Sequence, residues 1–297
     1  MWAFTGFASA ALCGLTLVSG ADAQPLPTVG RGSGFLTIRG QTVTVRYYSG
    51  SLDRASHVLS RLDLIIGDLQ KRGKRPISLI AFVIPREQWG DGTPTRPYGL
   101  PLTMAGSSVI LVPALGDAGT VELWEHWLGS ELPRLSGFPL RGSVKAASSL
   151  VLADVFLQRA AAGVFVDRHE LIGRRPWVRG LLTHLVALEL FARYEPSRMI
   201  EIEMTYRTLG RQLSALSQLR EGEPMPVEDW LLTETRYFAA ALAIFREEGR
   251  SAVKRALKLR SKSEGPLSED AVLKLFPSLR SIRFDETEPQ AAVESLE

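Results

Sequence analysis

The sequence predicts an α+β fold: a small N-terminal sheet with one backing helix, then a buried central helix and an all-helical C-terminal part. Three observations carry this. Between positions 35 and 113 the apolar residues come in strand-length stretches, interrupted by one long stripe of helical period. From position 120 onward the period is helical throughout. Residues 149–158, Ser-Leu-Val-Leu-Ala-Asp-Val-Phe-Leu-Gln, are apolar on every side but for one carboxylate. A helix without a wet face belongs at the centre of a domain.

Taken in order, residues 35–39 and 42–48 alternate around Gly40-Gln41, the pattern of a hairpin. Ser51 is placed to cap a helix to Lys71, striped with Ala55, Val58, Leu59, Leu62, Ile65, Ile66 and Leu69 and stopped by Gly73. Residues 77–85 are apolar enough for the middle of a sheet, and 107–113 make another strand. Between them, the Gly- and Pro-rich residues 88–101 predict an exposed loop. Residues 120–132 predict a short helix with Trp124, Trp127 and Leu128, and 137–142 a turn. Two long apolar helices follow within 144–194, joined by a basic loop at 167–176. Further helices are expected at 201–219, 227–248, 251–261 and 268–276, punctuated by Gly249 and Pro266. Residues 285–297 hold five acids and no base, a composition that predicts disorder.

Residues 1–18 are almost entirely apolar or small, and Ala21-Asp22-Ala23 before Gln24 is an A-x-A pattern. Together they read as a secretory signal peptide removed after Ala23, although no Lys or Arg precedes Arg31. An uncleaved membrane anchor is the alternative, disfavoured because the run is short for a span. The single cysteine, Cys13, lies in this leader, so the mature chain would have no thiol. That excludes disulfides, thiolate catalysis and cysteine metal sites, and points to a bacterial periplasm or extracellular setting. The expected division is leader 1–23, linker 24–34, an α/β subdomain 35–142, a helical subdomain 143–284 and the acidic segment 285–297. A formal charge of +3, with acids and bases interleaved, leaves no nucleic-acid footprint.

Candidate chemistry centres on Asp154 and Gln158, four apart and hence on one helix face. That spacing is the one at which a zinc-peptidase helix carries its two histidines. A buried carboxylate must be paired or protonated. The nearby cations in sequence are Arg174, Arg175 and Arg179, so an Asp154–Arg pair is expected. Each histidine has a bland reading beside a functional one. His169-Glu170 is followed at the fourth position by Gly173, not His, and reads as exposed loop. His126 shares a helix face with Glu122 but sits among packing tryptophans. His184 points into the cleft or is a hydrogen-bonded core histidine, the second being favoured. His57, beside the first helix's stripe, should reach solvent.

The order of elements resembles the peptidase MA-like, or gluzincin, domains of bacterial envelope proteins. Residues 43–51, Val-Thr-Val-Arg-Tyr-Tyr-Ser-Gly-Ser, look like the family's opening strand running into its first helix. Residues 105–111, Ala-Gly-Ser-Ser-Val-Ile-Leu, look like the edge strand of the substrate cleft. Residues 176–182, Pro-Trp-Val-Arg-Gly-Leu-Leu, resemble its W-x-x-E-G-x-A helix, and 237–257 its late helical pair. The resemblance covers residues 35–280 and implies a gluzincin-like fold. It also implies where zinc chemistry would sit: the two His become Asp154 and Gln158, the general base Val155, and the third-ligand Glu Gly180. Val and Gly supply neither ligand nor base, so the expected site is catalytically dead, with no cofactor. Asp154, Gln158, His184, His126 and Arg179 are then the candidate cleft residues.

The resulting expectation is an exported, inactive metallopeptidase homologue that binds a peptide or envelope protein partner, by strand addition beside residues 107–112. It would bind no nucleic acid and have no membrane span after signal cleavage. Two alternatives stand beside it. One is a zinc enzyme with an atypical ligand set such as His126, Asp154 and His184; the other is a structural envelope protein.

Overall fold

A computed structural model describes residues 34–73, 75–89, 100–103, 107–114, 144–171, 176–219, 226–263 and 265–281. The expected leader, the linker apart from Gly34, the helix at 120–132 with His126, the turn at 137–142, Arg174, Arg175 and residues 285–297 lie outside the described residues.

The fold is α+β, as its sequence predicts. Five strands form one sheet in the order β1-β2-β3-β5-β4. They are β1 (Phe35–Arg39), β2 (Val43–Tyr48), β3 (Leu79–Ile84), β4 (Leu102–Thr103) and β5 (Val109–Pro113). The hairpin β1–β2 is antiparallel, β2, β3 and β5 run parallel, and β4 returns antiparallel to β5. Parallel strands need a crossover, which α1 (Leu52–Arg72) supplies between β2 and β3. Its stripe of Ala55, Val58, Leu62, Ile65, Ile66 and Leu69 is buried with Val43, Val45, Leu79, Ala81 and Val83 in one core.

The hairpin is tied to α1 by a single carboxylate. Asp63 accepts from the amides of Gln41 (2.8 Å), Thr42 (2.7 Å) and Val43 (3.2 Å) and from the Thr42 hydroxyl (2.7 Å). Burial acts to raise its pKa, but these four donors outweigh that and hold it below the ordinary carboxylate value. A Cβ at Gly40 would overlap the Asp63 carboxylate, so the approach requires glycine there.

Three sequence expectations need correction here. The strand at 107–113 is not an edge, because β4 pairs outside it, Leu102 with Leu111 and Thr103 with Ile110. The stretch 88–101 is not wholly exposed either, since Trp89 and Leu100 are buried beneath that edge with Ile84, Leu102 and Phe156. Ser51 does not cap α1 through its side chain; its carbonyl accepts from Ala55 at 2.9 Å instead.

The helical part consists of α2 (Val144–Arg168), α3 (Pro176–Tyr194), α4 (Met199–Leu219), α5 (Pro226–Glu248), α6 (Ser251–Arg260) and α7 (Glu269–Leu275). A short 3-10 turn, Pro196–Arg198, links α3 to α4, and a second, Pro277–Ser281, follows α7. Ser268 does cap α7, accepting from Ala271 at 3.2 Å. Every residue of α2 from Ala153 to Val166 is buried, the outcome expected of a helix with no wet face. Phe156, Phe165 and Phe191 are fully buried, each contributing about 1.5–3 kcal/mol by area. The polar groups in such a helix must find their partners inside the protein, and they define the candidate site.

Candidate functional site

Asp154 and Gln158 share one face of α2, and that face meets α1. Arg54 Nη1 donates to Asp154 Oδ1 at 3.1 Å, and the His57 ring Nε2 bonds Oδ2 at 2.7 Å. The partners are therefore on the first helix. Arg179, expected as a partner, instead makes two 2.7 Å bonds to Asp167. Burial acts to raise the Asp154 pKa, yet the bond from His57 and the Arg54 guanidinium hold it below the usual carboxylate range.

One turn along, the Gln158 amide donates to Glu195, at the C-terminal end of α3. Arg61 and Arg198 pair with the same carboxylate. Arg54, His57 and Arg61 follow one another at helical spacing, so one face of α1 delivers two guanidinium groups and an imidazole to Asp154 and Glu195. Two carboxylates, one amide, three guanidinium groups and one imidazole thus occupy this face.

A second polar nest lies on another face of α2. Arg159 grips both oxygens of Glu234, and His184 Nε2 bonds Glu234 Oε2 at 2.8 Å. His184 is 1% exposed and Glu234 3%. The Arg159 guanidinium also lies 5.5 Å from the Trp230 ring centre. Burial pushes the Glu234 pKa up, but Arg159 and His184 together bring it down to about 2. For His184 burial dominates over Glu234, and its pKa lies below the ordinary value.

The residues matched to a zinc site therefore do not fit zinc. Asp154 is taken by Arg54 and His57, and the Arg54 guanidinium stands where a metal cation would have to enter. Val155 is 2% exposed in the apolar core. Gly180 abuts the Tyr237 ring of α5, which a Cβ at 180 would overlap, so no side chain could project there without moving Tyr237. Of the atypical set, Asp154 is bonded in the first nest and His184 in the second, while His126 is outside the described residues. Among the described residues, no group of three or more His, Cys, Asp or Glu is placed to hold a metal.

The remaining histidines divide. His184 is the hydrogen-bonded core histidine favoured from its position. His57 keeps 44% of its side chain exposed but is also bonded to Asp154. His169 is not exposed loop: it is 8% exposed, and its ring packs 4.5 Å from Phe165. Its neighbour Glu170 does face solvent, between Arg75 and Arg260.

Sequence reasoning missed Arg54, Arg61, Glu195, Arg198, Arg159 and Glu234. A signal existed for three of them: Arg54 and Arg61 flank the apolar stripe at His57's spacing. Arg159 was equally visible as a lone cation in an apolar run.

Comparison with known proteins adds no relative. No protein-family model, curated protein or solved structure matches this chain.

The packing at Gly180 yields a direct test. Gly180→Ala should lose about 1–3 kcal/mol of stability by overpacking against Tyr237, although alanine favours a helix. A urea unfolding midpoint equal to or above the parent's would contradict this packing.

Proposed function

We propose that this chain is an exported protein of gluzincin-like architecture that has lost zinc and catalysis and acts by binding a peptide or protein partner. The observation that carries the reading is that the acids on this face are already paired: Arg54 and His57 hold Asp154, and Arg61 and Arg198 hold Glu195. A buried carboxylate satisfied by guanidinium has no remaining need of a divalent cation. Hydrolysis would also need a base beside the metal, and Val155 offers none. Peptide capture by addition to β5 is not part of this reading, because β4 already covers that strand.

The test is elemental analysis of the purified chain, run with a broad peptidase assay and thermal unfolding with and without chelator. Zinc well below one equivalent, no turnover and an unchanged Tm are expected. Stoichiometric zinc whose removal lowers Tm would overturn the reading, since a metal bound only by the native state must stabilise it.

A further inference from the structure

Away from the two nests, an open valley of about 700 Å³ runs between α4 and α5. That volume lies within the range of ligand sites, although the valley is a surface groove and not a cavity. Its lining includes small residues, Gly210 on α4 and the exposed Ala239 and Ala243 on α5. Tyr206 and Phe238, stacked with ring centres 3.9 Å apart, also line it. Four arginines, Arg207, Arg211, Arg236 and Arg246, stand along it against one acid, Glu203. Glu203 bonds Arg207 and Arg246, each at 2.7 Å. Arg211 reaches Thr208 at 3.5 Å, and Arg236 makes no ion pair with another described residue. The valley is therefore apolar at its centre and positive along its walls, with two arginines uncompensated by a described acid.

The same chain carries a segment of complementary chemistry. Residues 285–297 contain Asp285, Glu286, Glu288, Glu294 and Glu297 and no base. Within them Val293 and Leu296 are three apart, as are Glu294 and Glu297, so one helical turn could present both an apolar and an acidic edge. The route is short. Arg255 of α6 pairs with Glu248 at the end of α5 and donates to the Leu275 carbonyl at the end of α7 at 3.4 Å. The turn Pro277–Ser281 also packs on α5. The described chain therefore stops near the end of α5 that carries Arg246. Twelve further residues lead from Ser281 to Val293, an extended reach of about 40 Å. Helix α5, at 23 residues, is about 35 Å long.

We propose that the acidic segment 285–297 docks in its own chain's valley between α4 and α5, with carboxylates toward Arg211 and Arg236 and Val293 and Leu296 on the small-residue floor. Each exposed ion pair is weak and salt-screened, so docking needs several of them together with the apolar contact. The valley is then a binding site for acidic segments that the protein itself occupies, and an acidic partner would compete for it. This inference is independent of whether the chain has lost catalysis.

The test uses the full chain with Cys13→Ser, which leaves no thiol, and adds Ala239→Cys with Ala292→Cys. Mild oxidation should close an intramolecular disulfide several-fold faster than in a control pairing Ala292→Cys with the exposed Ser60→Cys. The difference should vanish in high salt or when Arg211→Glu and Arg236→Glu are added. Equal rates in the two pairs would overturn the proposal. Predominant disulfide-linked dimers would overturn it too, by assigning the valley to a second copy's segment. In the unsubstituted chain, amides of residues 290–297 should exchange several-fold more slowly than in a synthetic 285–297 peptide, and equal exchange would sink the idea without any substitution.

Discussion

Glu234→Ala should remove on the order of 3–5 kcal/mol of folding stability, because it leaves the Arg159 guanidinium buried and uncompensated and takes away the partner of His184. Urea unfolding measures it, and a loss below about 1 kcal/mol, the size of an ordinary surface change, would count against a buried pair. Removing both charges is a different experiment. Arg159→Met with Glu234→Leu should recover most of the loss, since a buried pair seldom outperforms well-packed apolar side chains.

Acid should act through the same nest. The Glu234 pKa falls from 4.5 when unfolded to about 2 in the fold, so its stabilisation is complete above about 4.5 and is lost as pH falls toward about 2. His184 has its pKa lowered from 6.5, so the unfolded chain takes up that proton first and stability also falls with acid below 6.5. Glu189 works the other way. Burial outweighs Arg72 and raises it from 4.5 to about 7, so the native state binds this proton first and gains stability as pH falls through that window. The two opposing effects overlap above about 4.5, leaving the loss through Glu234 unopposed below it. Stability measured across pH should therefore fall most steeply below about 4.5, and Glu189→Gln should make the loss between about 7 and 4.5 steeper.

Asp154→Ala should also destabilise the fold, by about 1–3 kcal/mol, for a reason that separates its two partners. The Arg54 side chain is 7% exposed, so its charge remains buried when the carboxylate goes, whereas the 44% exposed His57 turns to water at little cost. Asp154→Asn should lose less, because the amide oxygen still accepts from Arg54. Thermal or urea unfolding checks both. A negligible loss for Asp154→Ala would remove the argument that an ion pair holds this position.

The fold was legible in the sequence because its elements announce themselves by period and punctuation. The hairpin around Gly40, the crossover helix stopped at Gly73 and the helices broken at Gly249 and Pro266 appear where their residues place them. The two-residue β4 was not legible, because Leu102-Thr103 lacks any repeat and sits in a stretch rich in Gly and Pro. Its omission made β5 look like an edge. In the site, the burial of Asp154 followed from its apolar flanks, but its partner did not. The nearest cations along the chain were the wrong guide, since Arg54 lies 100 residues away and is brought in by the crossover. The Arg159–Glu234 pair, 75 residues apart, shows the same limit: burial can be read locally, partnership only from topology.

The ion pairs that join α1 to the later helices bear on how this chain can be divided. A cut between residues 142 and 143 would strand Arg54 and His57 on one fragment and Asp154 on the other, and would part Arg72 from Glu189. Each piece would expose or leave only partly paired charge that the intact chain neutralises across the cut. The sheet half and the helical half are thus poor candidates for separate expression, and assembly should proceed as one cooperative event.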